Sequence, residues 1–205
     1  MSERRVRAYV GLGANVGDAR ATLTRAVHDL AALRRVRLRG VSRLYATAPV
    51  GVTDQPDFHN AVVALDVRAG DDPALGALAL LTSLKDLERR SGRQVRERWG
   101  PRELDLDLLI FGRARLSVDR PPEARSSDAA TDPSKATKLL VVPHPEAHER
   151  LFVLAPLSDV ARWLVPPGWG ETVTTARVRR EGVEGGDAVR PIADWDDSAG
   201  AWTTL

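Results

Sequence analysis

Hydrophobic residues recur along the chain with two different spacings, and these spacings predict alternating strands and helices. Residues 6–13, 36–46 and 58–67 are largely apolar or alternate between apolar and polar positions, as strands do. After Asp18, a residue type favoured at helix N-caps, apolar residues recur every three or four positions. They predict a first helix that presents one apolar face, formed by Leu23, Val27, Leu30 and Leu33.

A second helix and a further strand follow in the same way. Leucines at helical spacing run from Pro73, which suits a first helical turn, to about Arg90. In residues 104–111 leucines alternate with Asp105 and Asp107, which predicts a strand with two different faces. The order strand, helix, strand, strand, helix, strand is typical of an α+β sandwich of ferredoxin-like topology, an antiparallel sheet with helices on one face.

The same pattern divides the chain into one domain and an extension. Residues 1–168 are predicted to form the domain, in which order returns at Leu139 after an irregular stretch and continues to a short apolar segment at residues 151–157. Residues 119–138 lack apolar periodicity and cannot offset the entropy of ordering, so we interpret them as a disordered insertion. Residues 169–205 form a C-terminal extension to which the pattern assigns no role.

Composition narrows the possible chemistry. The 205 residues are 43% hydrophobic, which is enough for the core of one domain. Because there is no apolar run of about 18 residues and no apolar segment after the basic start, we expect a soluble, cytoplasmic protein. We also expect a monomer. Cysteine is absent, so any metal must be held by Asp, Glu, His or substrate oxygens, which favours magnesium.

Two carboxylates on one strand face follow a loop rich in arginine. Asp105 and Asp107 point to the same side of their strand. The arginines that precede them are Arg93, Arg96, Arg98 and Arg102. Phosphate clamps beside metal ligands are the two parts that phosphoryl transfer requires. The alternative is a solvated acidic face beside a solvated basic loop, since only three of the 30 basic residues are lysines and arginine is favoured throughout.

Residues 45–60 form another candidate binding segment. Asn60 offers an amide donor and acceptor, and Phe58 lies two residues earlier on the same strand face, so the pair could hold and read a flat heterocycle. Trp99 and Phe152 are candidates for further aromatic walls. Ordinary core packing of these aromatic residues is the alternative, and sequence spacing does not choose between the two.

Two other motifs give weaker indications of function. His144 and His148 are four residues apart, but Pro145 disfavours the helix that would pair them on a metal. Residues 11–17 resemble a glycine-rich dinucleotide loop between strand and helix. A Rossmann unit also needs an acidic residue at the end of the second strand, and none is present there.

Four segments in a fixed order carry a resemblance to a known family. They are Gly11-Leu-Gly-Ala-Asn15, residues 45–60, Arg98-Trp-Gly-Pro-Arg followed by Leu-Asp-Leu-Asp, and Val142-Pro-His-Pro followed by Arg150 and Phe152. Together they resemble the 6-hydroxymethyl-7,8-dihydropterin pyrophosphokinase family from about Tyr9 to Leu157. This resemblance implies transfer of pyrophosphate from ATP to a pterin alcohol in folate biosynthesis.

The resemblance also implies residue roles. It makes Asp105 and Asp107 the ligands of two magnesium ions. The catalytic set is Arg93, Arg98, Arg102, Asp105 and Asp107. The residues implied on the ATP side are Glu88, Arg96, Arg98, His144 and Arg150. The residues implied around the pterin are Thr47, Ala48, Val50, Phe58, Asn60, Trp99 and Phe152.

The chain departs from the family pattern in two places that bear on these roles. Residues 93–98 are one residue shorter than the family form, so Arg96 could replace a neighbouring basic residue. The insertion falls where the family has a short link with a phosphate-binding arginine, for which Lys138 or Arg120 could substitute.

The sequence also has features of two other classes of protein, an RNA-binding module and an oxidoreductase. An RNA-binding module on the same sheet would use the high isoelectric point and an aromatic central strand, but here that strand carries two aspartates that would repel RNA. A nicotinamide-dependent oxidoreductase would depend on the glycine loop alone. We therefore expect two small-molecule substrates, ATP and the pterin, and neither nucleic acid nor a membrane as a partner.

Overall fold

The computed structural model describes residues 5–49, 54–92, 100–121 and 137–205. Within these ranges the chain forms nine strands and four α-helices. The strands are β1 (Arg5–Ala14), β2 (Val36–Val41), β3 (Leu44–Thr47), β4 (Phe58–Arg68), β5 (Asp105–Phe111), β6 (Leu116–Asp119), β7 (Lys138–Val142), β8 (Val189–Asp196) and β9 (Ala201–Thr204). The helices are α1 (Ala19–Ala32), α2 (Pro73–Arg90), α3 (Leu151–Ala161) and α4 (Val173–Glu184).

Seven of the strands form one antiparallel sheet, which confirms the predicted α+β class. Its order is β5-β1-β4-β3-β8-β9, and β2 pairs with the second half of β4. The prediction of a single strand over residues 36–46 is wrong, because this segment forms two strands, β2 and β3. At the break the hydroxyl of Ser42 accepts a hydrogen bond from the backbone N–H of Val62 at 2.9 Å, so a side chain replaces the backbone in the ladder.

The two predicted helices pack on one face of this sheet. Asp18 caps α1 by accepting from the N–H of Ala21, and Asp72 caps α2, which begins at Pro73 as predicted. The apolar faces of both helices bury against alternate residues of β1, β4 and β5. Leu23, Leu30 and Leu84 are fully buried there. Burial of this kind accounts for most of the stability of short amphipathic helices.

Two further helices pack on the opposite face, so the prediction that helices cover one face only is wrong. The apolar segment predicted at residues 151–157 is the start of α3, and Leu157 and Ala161 pack against Tyr9, Val62 and Ile110 of the sheet. Helix α4 packs on α3 and adds Val173 to the same cluster. The sheet is therefore the middle layer of three.

The ends of the predicted disordered insertion are ordered. Strands β6 and β7 pair as a hairpin, in which Lys138 lies 2.6 Å from Asp119 and the N–H of Arg120 donates to the carbonyl of Thr137 at 2.7 Å. The boundaries at residues 119 and 138 are thus wrong, because cross-strand pairing begins at both. The remainder of the insertion, residues 122–136, lies outside the described ranges.

The C-terminal segment adds to the same sheet. Strand β8 pairs with β3, and β9 pairs with β8. The indole N–H of Trp202 donates to the carbonyl of Ser42 at 2.9 Å, and His28 of α1 contacts the carbonyl of Gly200 at 2.8 Å. Residues 169–205 therefore extend the sheet by two strands and add α4 to the helical layer on its second face. In the described ranges no helix is both long and apolar enough to cross a membrane.

Candidate active site

Strand pairing brings the two carboxylates and the buried amide onto one face of the sheet. Gly13 of β1 lies opposite Asp105 on one side and opposite Asn60 on the other, and Gly11 lies opposite Asp107. Residues directly opposite each other in an antiparallel pair share a face. Asp105 and Asp107 of β5 and Asn60 of β4 thus face the same space, and between them β1 presents a glycine.

The glycines form the floor of a cleft on this face. A Cβ atom added at Gly13 would lie 3.5 Å from Oδ1 of Asn60, and one added at Gly11 would lie 3.5 Å from the side chain of Leu109. Side chains at these positions would therefore stand in the cleft. The cleft is lined by Gly11, Leu12, Gly13, Asn60, Ala61, Val62, Asp105, Asp107, Leu109, Phe152 and Val153.

The two aspartates lie on the open side of a strand whose other side is buried. Leu104, Leu106 and Leu108 are at most 3% exposed, whereas Asp105 and Asp107 are half-buried, which confirms the predicted two-faced strand. Within the described residues no hydrogen bond or ion pair engages the carboxylate of Asp107. Two adjacent half-buried carboxylates repel each other, and a cation between them relieves that repulsion.

Glu88 supports the carboxylate strand from behind. Its side chain is buried, and Oε1 accepts from the N–H of Leu106 at 2.7 Å and from Nζ of Lys85 at 2.8 Å. The same lysine lies 3.3 Å from the carbonyl of Leu106, so both backbone polar groups of this residue are bound by α2. Because Leu106 lies between the two aspartates, Glu88 holds their backbone in place, and its predicted contact with ATP stays a prediction.

The amide of Asn60 is oriented by Thr47. Nδ2 of Asn60 donates to Oγ1 of Thr47 at 2.8 Å, and both side chains are buried. With the nitrogen turned towards β3, Oδ1 lies on the side of Gly13. The cleft therefore presents an amide acceptor of fixed orientation, which suits recognition of a hydrogen-bond donor on a ligand.

The first turn of α3 forms a wall over this floor. Phe152 and Val153 line the cleft, and the guanidinium of Arg150 lies 5.5 Å from the centre of the Phe152 ring. Arg150 also forms an ion pair with Glu146. A cationic group is thus held next to the aromatic wall.

His144 is attached to the carboxylate strand by its backbone. The β1–β5 register shifts between Tyr9 and Val10, and Leu109 is the extra residue of this bulge. Its carbonyl accepts from the N–H of His144 at 2.8 Å. The ring Nδ1 of His144 accepts from the N–H of Glu146 at 3.3 Å, so in the neutral imidazole the proton lies on Nε2.

Several predicted residues are placed apart from the cleft or outside the described ranges. Phe58 begins β4 on the face of Asn60, but it is half-buried and does not line the cleft. Ala48 is exposed just after β3. Lys138, one substitute considered for a phosphate-binding arginine, is paired with Asp119. The residues outside the described ranges are Val50, Arg93, Arg96, Arg98 and Trp99.

Sequence reasoning assigned no role to two side chains that organise this site. Asn15, the first residue after β1, binds the chain on both sides of the cleft, including the backbone of Arg102. Tyr45 lies opposite Asn60 and donates to Asp159 of α3. Asn15 is the last residue of one of the four segments that resemble the family, and this was the only indication of it in the sequence. Nothing in the spacing of Tyr45 and Asp159 indicates that they meet.

The chain is similar to proteins of one family. A family model described as 7,8-dihydro-6-hydroxymethylpterin-pyrophosphokinase (HPPK) matches residues 9–162. A Bacillus subtilis protein named 2-amino-4-hydroxy-6-hydroxymethyldihydropteridine pyrophosphokinase is 35% identical over 176 residues, covering 86% of this chain and 87% of that protein. A Methylorubrum extorquens protein of the same name is 37% identical over 178 residues, covering 87% and 97%.

Among solved structures, wild-type Plasmodium falciparum HPPK-DHPS superimposes with a TM-score of 0.70 at 14% identity. The match covers 100% of this chain and 46% of that chain, so this chain spans about half the length of the solved protein, and the likeness shows the fold alone. The curated relatives define the class more narrowly, since they are pyrophosphokinases by name. The chain belongs to the 7,8-dihydro-6-hydroxymethylpterin-pyrophosphokinase family, as its four segments predict.

Proposed function

We propose that this protein transfers pyrophosphate from ATP to the hydroxymethyl group of 6-hydroxymethyl-7,8-dihydropterin, giving the pterin diphosphate and AMP. Family membership supports the class of reaction. The observation that carries the proposal is the placement of Asp105 and Asp107 on the same sheet face as Asn60. Strand β1 lies between β5 and β4 and presents glycines to this face at the paired positions. This arrangement offers neighbouring places for a cation-bound polyphosphate and for a flat polar heterocycle.

The pterin occupies the side of the cleft formed by β4 and α3. Phe152 supplies an aromatic surface, and Oδ1 of Asn60, held by Thr47, accepts from the edge of the ring. The further pterin contacts proposed on family grounds are Ala48, Val50, Phe58 and Trp99. A fixed acceptor in a buried position discriminates strongly against ligands that lack the matching donor, because the acceptor is then left unpaired.

ATP occupies the side formed by β5, with magnesium. Within the described residues no group of three or more acidic or histidine side chains gathers, so the two aspartates alone do not make a closed metal site. This fits magnesium, which binds one or two carboxylates together with phosphate oxygens and keeps several waters. Asp105 and Asp107 would hold two such ions, whose positive charge stabilises negative charge that develops on the phosphates.

Basic residues and the remaining polar groups hold the phosphates. Arg102 lies three residues before the start of β5, and Nε2 of His144 carries a proton that it can donate to an anionic oxygen. Arg150 places positive charge next to the wall residue Phe152. The other proposed contacts, from Arg93, Arg96 and Arg98, complete the ATP side, and Glu88 contributes through the backbone of Leu106 that it holds. Several guanidinium groups around a polyphosphate are effective because each presents a planar, bidentate fork.

The reaction is a direct displacement. The hydroxymethyl oxygen forms a bond to the β-phosphorus of ATP, the bond from that phosphorus to the α,β-bridging oxygen breaks, and AMP leaves with that oxygen. The proton of the alcohol passes to solvent or to a phosphate oxygen, since the described residues place no general base at the cleft floor other than the two carboxylates. Orientation of the two substrates can supply about 7–11 kcal/mol of the rate enhancement.

The experiment is to incubate the protein with ATP, magnesium and 6-hydroxymethyl-7,8-dihydropterin and to separate the nucleotides. We expect one AMP for each pterin diphosphate, and no AMP with a 7,8-dihydropterin that lacks the hydroxymethyl group. Chelation of magnesium should stop the reaction. Release of ADP in place of AMP would contradict the proposal, because it would show transfer of a single phosphoryl group.

A further inference from the structure

The side chain of Asn15 joins two segments that lead into different strands of the cleft. It is 2% exposed and follows directly after β1. Its Nδ2 donates to Oε1 of Gln55 at 2.9 Å and to the carbonyl of Pro56 at 3.1 Å, while its Oδ1 accepts from the N–H of Arg102 at 2.8 Å. The N–H of Asn15 also donates to the carbonyl of Arg102 at 3.0 Å.

These partners stand at the start of the two strands that carry the proposed substrate groups. Pro56 lies two residues before β4, which holds Asn60, and Arg102 lies three residues before β5, which holds Asp105 and Asp107. Strand β1 separates β4 from β5 in the sheet. Beyond the end of β1 the backbone ladder stops, and the amide of Asn15 continues the connection between the two neighbours.

Asn15 has no hydrogen-bond donor left for a ligand. Both hydrogens of its amide nitrogen are used, and its oxygen is bound to a backbone donor. The side chain is buried and is not among the residues that line the cleft. A buried amide with every donor satisfied by protein, in segments next to a binding cleft, acts on substrates only through the segments that it holds.

We infer that Asn15 is a positioning residue that sets the distance between the pterin groups of β4 and the carboxylates of β5. The inference rests on the proposed function, because it concerns the alignment of the two substrates. Transfer between bound reactants depends steeply on alignment, and a displacement of about 1 Å can cost about 100-fold in rate. Replacement of this side chain should therefore affect turnover more than the binding of either substrate alone.

The two halves of the contact can be separated by substitution. Asn15→Asp keeps an acceptor for the N–H of Arg102 but loses the donor to the carbonyl of Pro56, so it disturbs the β4 side. Asn15→Ala removes both sides. A matched control is Asp72→Ala, which removes the cap of α2, where Asp72 accepts from the N–H of Ala74 at 2.7 Å. This cap follows the end of β4, whereas Pro56 and Asn60 lie at its start.

The test measures thermal melting, kcat, both KM values, and equilibrium binding of a non-hydrolysable ATP analogue with magnesium. At a temperature where every variant is folded, we expect Asn15→Ala to lower kcat about 10-fold to 100-fold while affinity for the analogue changes less than about threefold. Asn15→Asp should raise the pterin KM without changing affinity for the analogue. Asp72→Ala should lower the melting temperature and leave kcat unchanged.

Two results would overturn the inference while leaving the proposed function intact. One is wild-type kcat in folded Asn15→Ala, which would make the residue a source of stability only. The other is an equal loss of affinity for both substrates. If Asn15→Ala does not fold, Gln55→Ala removes one of the three hydrogen bonds of the Asn15 side chain and should raise the pterin KM in the same direction; an unchanged KM would also count against the inference. A wild-type protein that forms no AMP would instead refute the proposed function.

Discussion

The hydroxyl of Tyr45 lies 2.9 Å and 3.1 Å from the two carboxylate oxygens of Asp159. Tyr45 is fully buried on β3 opposite Asn60, and Asp159 belongs to α3, whose first turn carries Phe152. Arg43 binds the same carboxylate through Nη2 at 2.9 Å and Nε at 3.2 Å. The contact thus ties the floor of the cleft to its wall. Burial, followed by the negative charge of Asp159, raises the pKa of Tyr45, so the phenol stays protonated and continues to donate.

Tyr45→Phe should loosen this connection without emptying the core. We expect the free energy of unfolding to fall by about 1–3 kcal/mol, because Asp159 loses a buried donor but keeps Arg43. Pterin affinity should fall with it, since Phe152 is then less firmly placed. Urea denaturation and pterin fluorescence titration measure the two effects. The chain has one other tyrosine, and Tyr9→Phe should leave pterin affinity unchanged; an equal loss in both variants would contradict this account.

The glycine floor can be tested by adding a single methyl group. Gly13→Ala places a Cβ atom 3.5 Å from Oδ1 of Asn60, an ordinary contact distance, so the fold should persist with a stability change of about 1 kcal/mol or less. The methyl group occupies cleft space, so pterin affinity should fall. Gly40→Ala is the matched control. Gly40 lies on another strand, β2, and its added Cβ atom would lie 3.7 Å from the side chain of Val160. Unchanged pterin binding in Gly13→Ala would show that the ligand does not reach this floor.

The cleft was predictable from sequence only in part. Period-two alternation was enough to place Asp105 and Asp107 on one face and the leucines on the other, since strand geometry alone determines this. That Gly13 lies between Asp105 and Asn60 depends on pairings between segments far apart in the chain. Such register is set by packing and not by any local pattern.

The C-terminal strands were hard to predict because they also depend on residues far away in the chain. Strand β8 contains Pro191 and alternates poorly, and it pairs with β3 beside a packed pair of tryptophans, Trp195 and Trp202, whose ring centres are 4.8 Å apart. Strand propensity depends on such neighbours more than on the segment itself. The break at Ser42 also escaped prediction, because one hydroxyl replaced a backbone group within an otherwise regular pattern.

His59 should make the protein less stable in acid. Its Nδ1 is buried without a hydrogen-bond partner in the described structure, and burial, with a smaller effect of Arg20, lowers the pKa of the imidazole below its usual value of about 6.5. The folded state then binds fewer protons than the unfolded state, so the free energy of unfolding falls as the pH drops below about 6.5. His59→Leu should reduce this slope in urea denaturation between pH 7 and about pH 5. A slope equal to that of the wild type would exclude His59 as its source.

The ends of the β6–β7 hairpin already meet, so the insertion should be dispensable for folding. The N–H of Arg120 and the carbonyl of Thr137 are 2.7 Å apart, which leaves a gap that a two-residue turn can close. Replacement of residues 121–136 by Asn-Gly should therefore change the melting temperature by only a few degrees, because the sequence of this segment contains no large apolar side chain that could join a core. A large loss of thermal stability would show that the insertion packs on the domain.

The paired aspartates allow the most direct test of the proposed chemistry. Asp105→Asn and Asp107→Asn keep the size of each side chain and much of its hydrogen bonding but remove the charge that offsets the cations. If the pair holds magnesium with ATP, AMP production should collapse in both variants while their melting curves stay close to that of the wild type. Relief of the repulsion between the two carboxylates could even raise the melting temperature slightly.

A solvated acidic strand face would behave differently, because nothing would depend on its charge. Asp194→Asn, on the exposed side of β8 in the same sheet, is the matched control and should retain full activity. Steady-state AMP production over a range of magnesium concentrations, measured beside the melting curves, separates the two cases. A folded Asp107→Asn variant with near-normal turnover at low magnesium would remove the metal role of this pair, and with it the main structural support for transfer of pyrophosphate at this cleft.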